Sequence, residues 1–237
     1  MKSRLPSLHC STCSTRGKSV FCDLSDEHLS EIERAKTSNF YKPHQVIFYE
    51  GNLPHGLYCI ASGKLKIYKS DANGHQKIVR LASVGDILGY RCLLSNEPYS
   101  ATAETLEEAS ICYIDKKTFF HVLDTHPATA RRVMESLAKD LRGAEEQTLN
   151  LVHKNVRERL AELFLIFRQK YGQKTPKGEV LDIKLTREEI AELIGTTQES
   201  VIRLMSEFKQ DGFIEVDGRI ITLKNVPGLI QTANLPD

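Results

Sequence analysis

The sequence predicts an α+β fold in three consecutive parts: a small β domain, a long helix, and a helix-turn-helix followed by a hairpin. Three observations predict it. Short apolar runs punctuated by glycine fill residues 46–115, a heptad seam runs through 134–151, and two capped helical stripes flank Gly195. Alternating runs with turn signals read as strands, and three- and four-residue apolar steps read as helices.

Residues 1–22 are polar and carry Cys10, Cys13 and Cys22. Capping residues at 23–27 then introduce Leu29, Ile32 and Ala35 at three-residue steps, which predicts a short helix. The β text comprises Val46–Tyr49, Leu57–Ile60, Leu65–Tyr68, Lys77–Leu81 and Ser110–Ile114, with Asp71-Ala72-Asn73-Gly74 as a turn. Strands this short and this closely spaced suggest a sandwich or barrel.

After Lys117–Leu123 and Pro127, the chain runs without proline to Pro176. Met134, Leu137, Leu141, Ala144, Thr148 and Leu151 alternate steps of three and four, a seam that calls for a partner helix such as that of a parallel homodimer. A core helix packed on its own domain is the plainer alternative. Residues 171–180 are turn-rich and read as a loop.

The most specific pattern is Leu185 to Met205. Thr186 is a hydroxyl N-cap with Glu189 three residues on, a capping box. Ile190, Leu193 and Ile194 make the inward stripe, and Ala191 is small where helices approach. Gly195 takes the turn, where a positive φ is needed. Thr197 caps a second helix whose Val201, Leu204 and Phe208 face inward. Its outward face carries Gln198, Glu199, Ser200, Ile202 and Arg203 near the N-terminus, where a recognition helix meets base edges. Arg203 suits a guanine and Glu199 a cytosine amino group. Four residues apart, these two share a face and can orient each other, as a plain surface ion pair would. Asp217-Gly218 between Phe213–Val216 and Arg219–Leu223 signals a type I′ hairpin, so the segment reads as a winged helix.

Composition bounds the function. The chain has 237 residues, 41% hydrophobic and 27% charged, with a net charge of +1. No run approaches the roughly 18 apolar residues of a membrane span. Residues 1–18 lack the apolar core of a secretory signal, so a cytoplasmic protein with no membrane partner is expected. Six cysteines are too few for a disulfide scaffold. The eight histidines are scattered and no catalytic constellation appears, so no enzyme and no catalytic residue is expected. From His153 to Asp237 there are 13 Lys and Arg against 13 Asp and Glu. A basic surface must therefore be local, from Lys154, Arg157, Lys184, Arg187, Arg203, Lys209 and Arg219.

The order of parts resembles the Crp/Fnr family of bacterial transcription regulators over nearly the whole chain. Phe48-Tyr49-Glu50-Gly51 to Gly63-Lys64-Leu65, Gly85-Asp86-Ile87-Leu88-Gly89, the long helix and Thr186–Arg203 carry the resemblance. It implies a cyclic-nucleotide-binding-type β-roll at 23–125, a dimerisation helix at 126–152 and a winged-helix DNA-binding domain at 153–237, behind the segment 1–22. It also implies a homodimer on a palindromic operator near a promoter, with RNA polymerase as a partner. Glu199 and Arg203 match the pair that reads a TGA-like core. Gln198 and Ile202 fit neither the cAMP-receptor nor the Fnr type, which leaves the outer bases open. The DNA-contacting set is Thr186, Thr197, Gln198, Glu199, Ser200, Ile202 and Arg203.

The effector pocket by resemblance comprises Gly85, Leu88, Gly89, Tyr90, Arg91, Tyr99, Ser100 and Ala101. Where cAMP-binding members have the ribose glutamate and the phosphate arginine, this chain has Tyr90 and Tyr99. That argues against cAMP. Another effector, or a filled pocket with no ligand, stays open.

Cys10, Cys13 and Cys22, with Cys112 from the β text, resemble the four ligands of a [4Fe–4S] cluster in the Fnr branch. The gap of eight residues before Cys22 is longer than in well-known members, and Ala144 leaves the seam apolar. Zinc on Cys10, Cys13 and Cys22, or plain thiols, remain alternatives; Cys59 and Cys92 read as core. The expectation is a DNA-binding regulator controlled by redox state, oxygen or a small effector. The alternatives are an iron–sulfur redox protein and a cyclic-nucleotide-binding module with no DNA role.

Overall fold

Two four-stranded antiparallel sheets form the N-terminal β-roll of this computed structural model, which describes residues 9–13, 15–176 and 178–234. Residues 1–8 and Ser14 of the N-terminal segment, Lys177 of the 171–180 loop, and residues 235–237 of the last domain lie outside the described residues. The chain divides into two compact units, Met1–Arg142 and Gly143–Asp237.

In the first unit, α1 (Asp26–Ala35) precedes eight strands: β1 (Thr37–Tyr41), β2 (Val46–Phe48), β3 (Gly56–Ser62), β4 (Leu65–Ser70), β5 (Gln76–Ala82), β6 (Ile87–Leu88), β7 (Thr102–Thr105) and β8 (Ala109–Asp115). The short helix α2 (Tyr90–Ser95) sits between β6 and β7, and α3 (Lys116–Thr125) follows β8. One sheet has the order β1-β8-β3-β6 and the other β2-β7-β4-β5. Alternation in β3 and β8 sends Ile60 and Ile111 into the roll, where they meet Leu65, Ile67 and Ala103 of the second sheet. The opposite face presents Leu57 and Ile114 to a second core with Leu29 and Ile32 of α1, Phe119 and Val122 of α3, and Val133.

Helix α4 (Pro127–His153) opens on a proline at its first position, where no N–H is needed. Only Thr129 and Val133 are buried along its 27 residues.

The second unit contains α5 (Val156–Tyr171), β9 (Gly172–Thr175), β10 (Gly178–Leu181), α6 (Arg187–Ile194), α7 (Gln198–Gln210), β11 (Ile214–Asp217), β12 (Ile220–Leu223) and α8 (Val226–Thr232). Its sheet has the order β11-β12-β10-β9. The expected loop at 171–180 is thus corrected to a hairpin, because β10 pairs with β12 and so gains hydrogen bonds its own turn-rich sequence does not announce. The wing turn is corrected too. Asp217 pairs with Ile220, so Gly218 and Arg219 form the turn. Gly218 has φ 57°, whereas Arg219 is not in the left-handed region, so the turn is not type I′. Phe208 anchors the core, edge-on to Phe164 at 6.2 Å and tilted on Phe213 at 5.7 Å.

Candidate functional site

The helix-turn-helix is built from capping chemistry. Thr186 accepts from the Glu189 N–H at 3.1 Å while Glu189 Oε2 accepts from the Thr186 N–H at 2.8 Å, a reciprocal box that starts α6. Gly195 ends the helix at φ 67°, where a side chain would be strained. Thr197 accepts from the Ser200 N–H and donates to the Ser200 hydroxyl, which starts α7. Arg159, which the sequence reading passed over, locks the turn: its guanidinium donates to the carbonyls of Ile194, Gly195 and Lys154. An arginine at a helix start carries no local signal of a job three elements away.

Thr186, Thr197 and Ser200 therefore spend side-chain hydrogen bonds inside the motif, whereas Gln198, Glu199, Ile202 and Arg203 are exposed on α7. Glu199 sits in the first turn of α7, and hydrogen bonding from its own N–H holds its carboxyl below the usual range. The ion pair that the i,i+4 spacing of Glu199 and Arg203 allows is not made. Arg203 Nη1 instead pairs with Glu207 Oε1 at 2.8 Å, one turn on, because Glu207 is already fixed by Arg157 at 2.9 Å. Arg203 still has a side chain 66% exposed. Of the basic residues expected to line this face, Arg157 is engaged with Glu207, Asp211 and the Phe208 ring, and Lys154 with Glu162. Lys184, Lys209 and Arg219 are exposed.

Where the resemblance placed an effector, Leu88, Gly89, Tyr90, Arg91, Tyr99, Ser100 and Ala101 do surround one small cavity, with Phe48, Ile67 and Arg80 added. Gly85 does not; it lines a different cavity, described below. The space is about 30 Å³, room for two or three waters. Tyr99 fills it, stacked on Phe48 with ring centroids 4.0 Å apart. Gly89, at φ 83°, lets the Tyr99 ring close in, since a Cβ there would stand 3.2 Å from it. The Tyr90 hydroxyl leaves the pocket and donates to Asp140 Oδ2 on α4 at 2.8 Å, where Arg80 also pairs at 2.8 Å and Arg91 at 3.9 Å. Burial and the Asp140 carboxylate push the Tyr90 phenol well above its ordinary range.

A second cavity, of about 60 Å³, lies on the outer face of the first sheet. Cys10, Cys13, Cys59 and Cys112 line it, with Phe21, Leu29, Ile32 and Lys36. Cys59 of β3 stands directly opposite Cys112 of β8 in the register. The Lys36 ammonium, with a side chain 6% exposed, donates to Cys10 Sγ at 3.2 Å and pairs with Glu33 at 3.2 Å. Burial pulls Lys36 down, but its hydrogen bonds to Cys10 and Glu33 and the charges of Cys10 and Cys112 outweigh it, and the net shift is upward. Burial and Glu33 push the Cys10 thiol up to about 11; burial and the neighbouring thiols push Cys59 well above its usual value.

Of the expected metal set, the structure gathers Cys10, Cys13 and Cys112 around this cavity but not Cys22, whose Sγ donates to Asp23 at 3.4 Å. The trio Cys10, Cys13 and Cys22 expected for zinc is likewise not assembled. Among the described residues, no three His, Cys, Asp or Glu side chains are grouped to hold a metal ion. Four thiols line this one space, and four cysteine thiolates are the ligand count that an iron–sulfur cluster takes. Cys59, read from sequence as core, does pack against the core of Leu29, Ile32 and Phe119; its place opposite Cys112 depends on strand register. The seam on α4 is mostly exposed: Met134 at 59%, Leu141 at 63% and Leu151 at 46% on the outside, Ala144 and Thr148 also exposed, and Leu137 half-buried.

A cyclic nucleotide-binding domain family matches residues 38–126, and a Crp-like helix-turn-helix domain family matches residues 158–232. The Fumarate and nitrate reduction regulatory protein of Escherichia coli K12 is 27% identical over 95% of this chain and 90% of its own. Its counterpart from Yersinia pestis is 27% identical over 97% and 92%. Together, these matches support a Crp/Fnr family regulator. This Crp/Fnr protein is a DNA-binding transcription regulator. Its fold is that of FixK2 from Bradyrhizobium japonicum, with a TM-score of 0.77 at 23% identity over 85% of this chain and 99% of that one. A CooA mutant from Carboxydothermus hydrogenoformans aligns with a TM-score of 0.73 at 25% identity over 90% and 92%. The family is one of transcription regulators, which are generally not enzymes, and no helix among the described residues is long and apolar enough to cross a membrane.

Proposed function

We propose that this Crp/Fnr regulator acts as a homodimer in the cytoplasm, joined along α4. In this reading it holds two α7 helices against successive major grooves of a palindromic operator containing TGA. The observation that carries this reading is the N-terminal face of α7. Gln198, Glu199, Ile202 and Arg203 are exposed on a helix whose start is fixed by Thr197 and whose preceding turn is held by Arg159. Arg203 would contact guanine O6 and N7, and Glu199 the cytosine amino group. Two-fold symmetry would set the half-sites one helical turn apart, about 34 Å. An operator of this kind beside a promoter brings RNA polymerase within reach as a partner.

Control would pass through the β-roll. The thiol cavity favours redox state or oxygen over an organic effector, since Tyr99 already occupies the nucleotide-like pocket. An iron–sulfur cluster held by thiols of the cavity would supply an oxygen-sensitive, one-electron centre. Selection from random duplexes with anaerobically purified protein tests the DNA reading. A palindrome with TGA half-sites is expected, and recovery of unrelated or unspaced sequences would contradict it.

A further inference from the structure

We propose that the cluster ligands in this chain are Cys10, Cys13, Cys59 and Cys112, and that Cys22 stays outside the set. This rests on the cluster reading above and changes its ligand assignment: two ligands come from the N-terminal turn and two from facing strands of the β-roll.

Three observations carry it. Cys59 and Cys112 are cross-strand partners whose side chains share one face of the sheet, and that face forms a wall of the cavity. Cys10 and Cys13 belong to one tight turn, closed by the Cys13 N–H to Cys10 carbonyl bond, and line the same space. The space is about 60 Å³, four to six times the roughly 10–15 Å³ that one water needs, so it suits a group of several atoms.

Cys22 is held away. Phe21 beside it occupies the cavity wall, and Leu24 is buried in the core at 2% exposure, so the turn between them is pinned on both sides. The Cys22 thiol is directed to Asp23, which Arg132 of α4 grips at 2.5 Å. Bringing Cys22 into the cavity would displace Phe21 and break that ion pair. Lys36 adds electrostatic sense: its buried ammonium borders Cys10 and faces a group that four thiolates would make anionic.

The test uses the full chain, reconstituted anaerobically with ferrous iron and sulfide, with iron and sulfide content and visible absorption as readouts. Cys22→Ser is expected to hold as much iron as the unaltered protein. Cys59→Ser is expected to fall with Cys10→Ser to about one tenth or less, as loss of a cluster ligand implies. Thiol alkylation of the unaltered, loaded protein, mapped by mass spectrometry, avoids any folding defect. Cys10, Cys13, Cys59 and Cys112 should be protected by loading, and Cys22 should stay reactive. Protection of Cys22 with Cys59 reactive, or iron loss in Cys22→Ser, would overturn the assignment while leaving the cluster reading standing. No iron in the unaltered protein would overturn both.

Discussion

The Tyr90 hydroxyl donates to Asp140 Oδ2 at 2.8 Å, and this bond joins the filled pocket of the β-roll to the helix that carries the heptad seam. Tyr90 is 1% exposed, and the Asp140 carboxylate also takes Arg80. Tyr90, expected from the sequence resemblance to line an effector pocket, thus serves as a fixed strut. Tyr90→Phe removes one hydrogen bond to a charged acceptor and keeps the ring packing. With Arg80 still on Asp140, the loss should be about 1–2 kcal/mol in urea unfolding. An unchanged unfolding midpoint would show that the strut bears no load.

The cap on α6 gives a prediction for the DNA-binding unit. Thr186→Ala deletes the hydroxyl that accepts the Glu189 N–H and also bonds the Glu189 carboxylate, a group only 6% exposed. A destabilisation of about 1–2 kcal/mol is expected. Thermal unfolding followed by circular dichroism checks it, and Thr186→Ser should restore most of the loss.

The exposed seam predicts an assembly defect. Leu141 is 63% exposed at a position where a heptad pattern would seat a partner's side chain. Leu141→Glu should convert the protein from dimer to monomer in sedimentation velocity at micromolar concentration. A dimer that persists would place the contact elsewhere.

Much of this architecture was legible from local chemistry. Thr186, Glu189, Gly195 and Thr197 act through neighbours within four residues, so their spacing announces the caps and the turn. Five strands show as short apolar runs, four of them ended by glycine. Elements stabilised by distant partners did not show: β1 reads as polar text because four of its five residues are exposed, and β10 depends on β12. The sites divide in the same way. Tyr90 and Tyr99 announced the changed pocket from sequence, but their junction with Asp140 and Phe48 is tertiary. Cys59 reads as core and packs there, but only strand register sets it opposite Cys112. Spacing allowed Arg203 to meet Glu199, but a third residue, Glu207, already anchored by Arg157, takes the contact.

That last contact bears on the central claim, that α7 reads bases. An exposed i,i+4 pair such as Arg203–Glu207 is worth about 0.3–0.5 kcal/mol, against about 1–3 kcal/mol for a bidentate arginine–guanine contact, so duplex should draw the guanidinium off Glu207. The most direct measurement is the binding free energy of the unaltered protein and of Arg203→Ala on a TGA palindrome and on a scrambled duplex, at one salt concentration. The account predicts a loss of about 1–3 kcal/mol per half-site on the palindrome, with little change on the scrambled duplex. Equal affinity of both proteins for the palindrome would contradict it.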